Sequence, residues 1–221
     1  MLENIKGDIA EFHRKMGACK LENEDEENKF ISEAEGVLGR CEPIAKTEEE
    51  RHELAKFCNF LGCWLLVYTY RLEEGRKYYR KALELFPDSF DIHWEYYTTL
   101  EEIVEDEEQC TPEFIQDAIE CLRFCIDYCD TPELKRENHI EYRWLELGRI
   151  YMKTGDYSKA KECAERSINM AYISSEREMA KVGEAREMIA KADKMLGVKG
   201  FKGFFNRIFS FFRRRNTKQK K

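Results

Sequence analysis

The feature that most constrains this chain is the stretch from Trp144 to Tyr172, WLELGRIYMKTGDYSKAKECAERSINMAY. Trp144, Leu147, Gly148 and Tyr151 recur at steps of three and four, which places them on one face of a helix. Gly155 and Asp156 break that pattern as the C-cap of one helix and the N-cap of the next. Beyond them Tyr157, Ala160, Ala164 and Ser167 form a stripe of mostly small residues on a second helix. Large side chains on one helix facing small ones on the next let two short helices pack closely side by side. Such a pair cannot bury its own apolar face, so it needs neighbours.

Trp-x₂-Leu-Gly-x₂-Tyr, the Gly-Asp-Tyr turn and Ala at steps of four resemble the tetratricopeptide repeat. Tyr172 stands where that family usually has Pro. The resemblance implies an all-α fold, a right-handed α-solenoid of antiparallel helix pairs. Further pairs can be found. Phe57 to Pro87 ends in YYRKALELFPD, with Tyr79, Ala82 and Pro87 at the family's second-helix and closing positions, and with Asn59, Gly62, Cys63 and Leu66 in a looser first helix. Between the two, Trp94 and Tyr97 open a helix to about Val104, and Glu105 to Cys110 make an acidic loop. Thr111-Pro112-Glu113 then reads as an N-cap, a first-turn Pro and a first-turn acid, ahead of a helix carrying Ile115, Ala118, Leu122 and Cys125 and ending near Asp130. Trp94 and Trp144 are 50 residues apart, against about 34 for the family, so the middle repeat carries an insertion. The expected organisation is a cap or degenerate repeat over 1–46, repeats over 47–87, 88–132 and 133–173, a capping helix over 174–196, and a separate tail over 197–221.

The flanks agree with this plan. Leu2, Ile5, Ile9, Phe12 and Met16 predict an amphipathic helix at the start. The acidic LENEDEENK is either a solvated link or the first turns of a second helix, whose stripe is Phe30, Ile31, Ala34, Val37 and Leu38, closed by Gly39 and Pro43. Thr47 to Glu50 has the form of a capping box for the next helix. After the third repeat, Ser174 or Ser175 can cap a helix running to about Leu196, with Gly197 ending it. No stretch alternates apolar and polar residues between turn signals, which argues against strands.

The N-terminus lacks an apolar signal core, and the longest apolar run, Phe60 to Tyr68, is nine residues, where a membrane span needs about twenty. Nine cysteines without a signal predict free thiols and a cytoplasmic setting. Cys121, Cys125 and Cys129 share a helix edge, with His139 as the nearest possible fourth metal ligand, but the spacing is no zinc pattern, and thiol packing is the reading for these and for Cys58 and Cys63. No phosphate-cradling glycine loop or His-Glu-x₂-His motif is present, and the acidic runs read as solvated surface and helix starts. Of His13, His52, His93 and His139, only His93 falls at a position that predicts burial. The chain is therefore expected to be no enzyme, with no cofactor, metal or small-molecule substrate.

Charge divides the chain. Of its 37 Lys and Arg, nine lie in residues 197–221, which hold no acid. The other 28 are set against all 44 Asp and Glu in residues 1–196. On a helix, Val198, Phe201, Phe204, Phe205, Ile208, Phe209, Phe211 and Phe212 fall within an arc of about 160°. Lys199, Lys202, Asn206, Arg207, Ser210, Arg213 and Arg214 fall outside it, and Arg215 extends the basic run. Aromatics opposite cations predict attachment to an anionic membrane surface, on a cytosolic face. The rival is docking of the tail onto a protein partner or onto the chain's own acidic repeats. Nucleic acid is not expected, because the acidic body repels phosphate and an unbroken Phe stripe is no base-stacking pattern.

The resemblance also implies that the first helix of each repeat lines a groove for a peptide or helix of another protein. The groove candidates are Phe57, Phe60, Trp64 and Val67 in the first repeat, Glu95, Thr99 and Glu102 in the second, and Leu145, Arg149, Met152 and Lys153 in the third. The Lys and Asn set with which one branch of the family clamps a C-terminal carboxylate is missing from the first two repeats. The sequence reads as an interaction scaffold, with a soluble assembly factor or chaperone as the alternative.

Overall fold

The computed structural model describes residues 1–17, 23–106, 108–171 and 176–197. Among them lie ten α-helices and no strand: α1 Leu2–Met16, α2 Glu24–Cys41, α3 Glu48–Tyr68, α4 Leu72–Leu85, α5 Phe90–Glu105, α6 Pro112–Tyr128, α7 Pro132–Glu137, α8 Ile140–Lys153, α9 Tyr157–Met170 and α10 Glu176–Met195. Most starts are written in the sequence. The Asn23, Ser89, Thr111 and Asp156 side chains each accept a backbone N–H from their helix's first turn. At α3 the box is complete: Thr47 Oγ1 accepts from the Glu50 N–H at 3.2 Å, and Glu50 Oε2 accepts from the N–H groups of Lys46 and Thr47 at 2.9 and 3.0 Å. Those backbone hydrogen bonds hold the Glu50 carboxyl below its ordinary range.

One open alternative is settled and one expectation shifts. Most of the acidic stretch before Phe30 is the opening of α2, where acids favour a helix N-terminus. Gly39 does not end that helix, which runs on to Cys41 and passes into a short 3₁₀ turn, Glu42–Ile44, that contains Pro43. The short helix α7 was not foreseen.

The helices fall into two compact units, Met1–Phe124 and a second that begins at Cys125. In the first, α1 and α2 pair and pack on α3, α3 pairs with α4, and α5 lies against both. The apolar core runs from Ile5, Phe12 and Phe30 through Leu54, Phe57 and Leu61 to Tyr78 and Ala82. Close approach depends on missing side chains. A Cβ on Gly62 would stand 2.6 Å from the Tyr79 ring, and one on Gly75 would stand 2.6 Å from Leu66 Cγ. Tyr79 in turn stacks on Tyr96 of α5, with ring centroids 4.2 Å apart.

In the second unit α8 pairs with α9, and α10 packs mainly on α9 and also on α8. The predicted large-on-small packing is present: Leu147 and Tyr151 are buried, as are Ala160, Cys163, Ala164 and Ser167. Gly148 leaves room for Cys163 and Met188. Gly155 takes the turn at φ +79°, a conformation open to glycine at no steric cost. Arg166 covers the Trp144 ring at 4.7 Å.

A buried ion cluster ties α4, α5 and α6 within the first unit. The Asp117 side chain is wholly buried, yet both its oxygens are used. Arg76 donates to it at 2.8 and 3.2 Å, and the Tyr96 hydroxyl donates at 2.5 Å. Arg80 adds an ion pair at 3.5 Å. Removing one partner from such a cluster strands the rest, and that costs more than the intact cluster contributes. Asp117→Ala is expected to destabilise the chain by about 3 kcal/mol, read as a lowered urea midpoint, with far-UV circular dichroism unchanged under native conditions.

Candidate partner-binding surface

In a protein of stacked helix pairs, the faces that pack are fixed by the core, so a binding surface must come from what the core leaves over. Along α3 the core takes Leu54, Ala55, Cys58, Leu61, Leu65 and Leu66. Phe60, Trp64, Val67 and Tyr68 remain on the far side at helical spacing. Phe60 is 37% exposed and Val67 44%. Trp64 is half-buried, its ring stacked on Phe30 at 4.1 Å, and the His13 ring meets the edge of Phe60 at 4.8 Å. Beside this stripe lies α5, from which Glu95 accepts a hydrogen bond from Asn59 of α3. Thr99 bonds the Tyr79 hydroxyl at 3.0 Å, and Glu102 is exposed.

Two groove candidates are corrected. Phe57 is 2% exposed, with its ring 5.0 Å from Phe12 of α1, so the N-terminal helices take the face assigned to a ligand. Leu145 is fully buried and belongs to the core. Of the others in the second unit, Arg149 is held in ion pairs with Glu146 at 2.6 Å and with Glu184 of α10, Met152 is half-buried, and Lys153 is exposed. The capping helix thus uses the charge that the sequence offered to a peptide. Every tail candidate from Val198 to Arg215 lies outside the described residues.

Two residues that sequence reasoning missed extend the stripe. Tyr68 and Tyr70 are 70% and 69% exposed at the end of α3 and in the turn behind it. The signal was available: offset by 85 residues, Tyr70 falls on Gly155 of the other repeat.

The remaining titratable groups serve the fold. His93 is buried, its Nδ1 2.8 Å from the Ser89 carbonyl and its ring stacked on Phe124 at 3.7 Å, and burial pushes its pKa down. Cys121, Cys125 and Cys129 are buried in α6 and just past it, and burial pushes the Cys125 thiol up to about 12, as it does Cys58. Such thiols are protonated and unreactive. No group of three His, Cys, Asp or Glu residues with metal-holding geometry occurs among the described residues, and no helix among them is long and apolar enough to cross a membrane. An open cleft at the start of α3, lined by Glu48, Arg51, Glu84, Leu85, Phe86, Pro87 and Asp88, mixes charged and apolar residues without convergent groups for a small molecule.

The fold and its leftover surface define a class: a helical-repeat protein that presents helix faces to other proteins. The tetratricopeptide repeat model matches residues 50–89, spanning α3 and α4, and residues 142–172, spanning α8 and α9. Over those two segments the chain carries tetratricopeptide repeats. Among solved structures, the N-terminal domain of stress-induced protein-1 (STI-1) from C. elegans is similar over 62% of this chain and 97% of its own, at 18% identity and a TM-score of 0.42. No curated protein matches the sequence.

Proposed function

We propose that this chain is a non-enzymatic adaptor whose partner, a peptide or helix of another protein, lies along the outer face of α3. The observation that carries this reading is the stripe of Phe60 and Val67, left exposed by the core, with the half-buried Trp64 between them. Glu95, Thr99 and Glu102 of α5 form its polar flank, where a ligand's backbone or cations find acceptors. Met152 and Lys153 are the candidates left to the second unit. In this reading α5 and α6 are the insertion-bearing middle repeat, and they complete the face on which α3 depends.

Selection of a displayed peptide library on the full chain tests the adaptor reading. Peptides are expected to bind the wild-type chain and to bind the Phe60→Glu/Val67→Glu variant at least about tenfold more weakly, a loss of about 1.4 kcal/mol. Both positions are exposed enough to accept the change without unfolding. Failure to select any peptide, or selection indifferent to the double variant, overturns the reading.

We further propose that residues 198–214 hold the adaptor on an anionic membrane surface at a cytosolic face. The support is the separation of Phe and Ile from Lys and Arg around the helical wheel. Full-length chain should sediment with vesicles containing anionic lipid, and a chain ending at Leu196 should stay in the supernatant. If both stay in the supernatant, the tether fails and the tail reverts to its rival role, docking onto a protein.

A further inference from the structure

Tyr70 holds a backbone conformation that its own side chain opposes. Its φ is +55°, in the left-handed region, where a bulky residue pays a steric penalty that glycine escapes. The second matched repeat puts Gly155 at the same place in its turn, at φ +79°. The alignment is secured by Gly75 against Ala160 and Ala82 against Ser167, at the same offset of 85 residues. The turn itself gains a backbone hydrogen bond, from the Arg71 N–H to the Leu65 carbonyl at 3.1 Å, but glycine would close it at less cost, and the Tyr70 ring, 69% exposed, adds no packing to the core. Strain kept at an exposed aromatic points to a use outside the fold.

The surroundings say what kind of use. Tyr68 stands beside Tyr70 and Val67 just before it, so the apolar stripe of α3 ends in two open phenol rings. Arg71, the cation in this turn, is already engaged: it donates to Glu74 at 2.5 and 3.1 Å and to Asn28 Oδ1 at 2.7 Å. Asn28 follows the first turn of α2, which carries Glu24, Asp25, Glu26 and Glu27. On the other side, α5 pairs Glu95 with Asn59 and Thr99 with the Tyr79 that packs on Gly62. The two helices therefore advance together, and the exposed Glu101, Glu102 and Glu105 follow toward the same end. Open aromatic faces between two runs of carboxylates attract cations by ring quadrupole and by charge together. They repel phosphate, whether of lipid or of nucleic acid.

We propose that the tyrosine-tipped end of α3 docks a Lys/Arg-rich segment of a partner protein, with its cations over Tyr68 and Tyr70 and its apolar side chains along Val67 and Phe60. This rests on the adaptor reading and adds the chemistry of the partner.

The test uses the full chain and a labelled synthetic peptide of about fourteen residues that alternates Lys or Arg with Leu or Phe, followed by fluorescence anisotropy. A twin with Glu in every Lys and Arg position serves as control. Tyr68→Ser/Tyr70→Gly is expected to weaken the basic peptide at least tenfold, as is Glu101→Gln/Glu102→Gln, whereas the Gln pair should not weaken the twin, whose repulsion it relieves. Tyr70→Gly alone should melt at or above the wild-type temperature, because it relieves the strained backbone, so lost binding is not lost folding. If the basic peptide fails to bind wild type, or binds the tyrosine variant as well as wild type, the inference falls. The library separates the two levels. Selected peptides that depend on Phe60 and Val67 but show no Lys or Arg enrichment leave the adaptor standing and sink this inference, whereas no selected peptide at all sinks both.

Discussion

The interaction on which this structure depends is the contact of a large side chain with the place where its partner helix has none. Tyr79 lies against Gly62, Leu66 against Gly75, and Cys163 and Met188 against Gly148. Each contact brings two helix backbones close enough for the remaining apolar residues to interlock at the density of a protein interior. A methyl group at such a place would have to displace a ring, a branched side chain or a backbone carbonyl. Gly39 of α2 has no such duty: a Cβ there would meet nothing within 4 Å.

From this follows the division between faces. A helix pair fixed by close contacts leaves each first helix with one face for its neighbours and one for solvent. On α3 the N-terminal helices claim part of the outer face through Phe12 on Phe57 and Phe30 on Trp64, and what remains is the stripe that ends at Tyr68 and Tyr70. On α8 the capping helix claims Arg149 through Glu184, and little apolar surface remains. In each unit a flanking helix covers a face that the helix pair would otherwise leave bare. The buried Asp117, held by Arg76 and Tyr96, adds specificity to the α4, α5 and α6 packing in the first unit, since a carboxylate without these donors would not tolerate burial.

Much of the fold was legible because its signals are local. The Thr47 capping box, the Thr111 and Asp156 caps, the Gly155 turn and the 3.6-residue stripes each need only a few consecutive residues, and each set a helix boundary or face; the Ser89 cap was missed, and α5 begins at Phe90 rather than at Trp94. The surface was less legible because it is defined by subtraction. Position within a repeat says that Phe57 and Leu145 point the same way as Phe60 and Arg149, but not which neighbour has already covered them. Phe12 lies 45 residues from Phe57 and Glu184 lies 35 from Arg149, so no local pattern announces either contact. Tyr70 was missed for another reason: its oddity exists only in comparison with Gly155, one repeat against another.

The central claim is that close contact at glycine, and not helix propensity, holds the pairs together. Urea unfolding of Gly75→Ala beside Gly39→Ala tests it directly. Alanine favours a helix over glycine by up to about 1 kcal/mol, and Gly39→Ala should show that gain as a raised midpoint. Gly75→Ala should instead lose about 1–2 kcal/mol, because overpacking outweighs propensity. A Gly75→Ala chain stabilised as much as Gly39→Ala would contradict the account, since the helices would then not be as close as the packing requires.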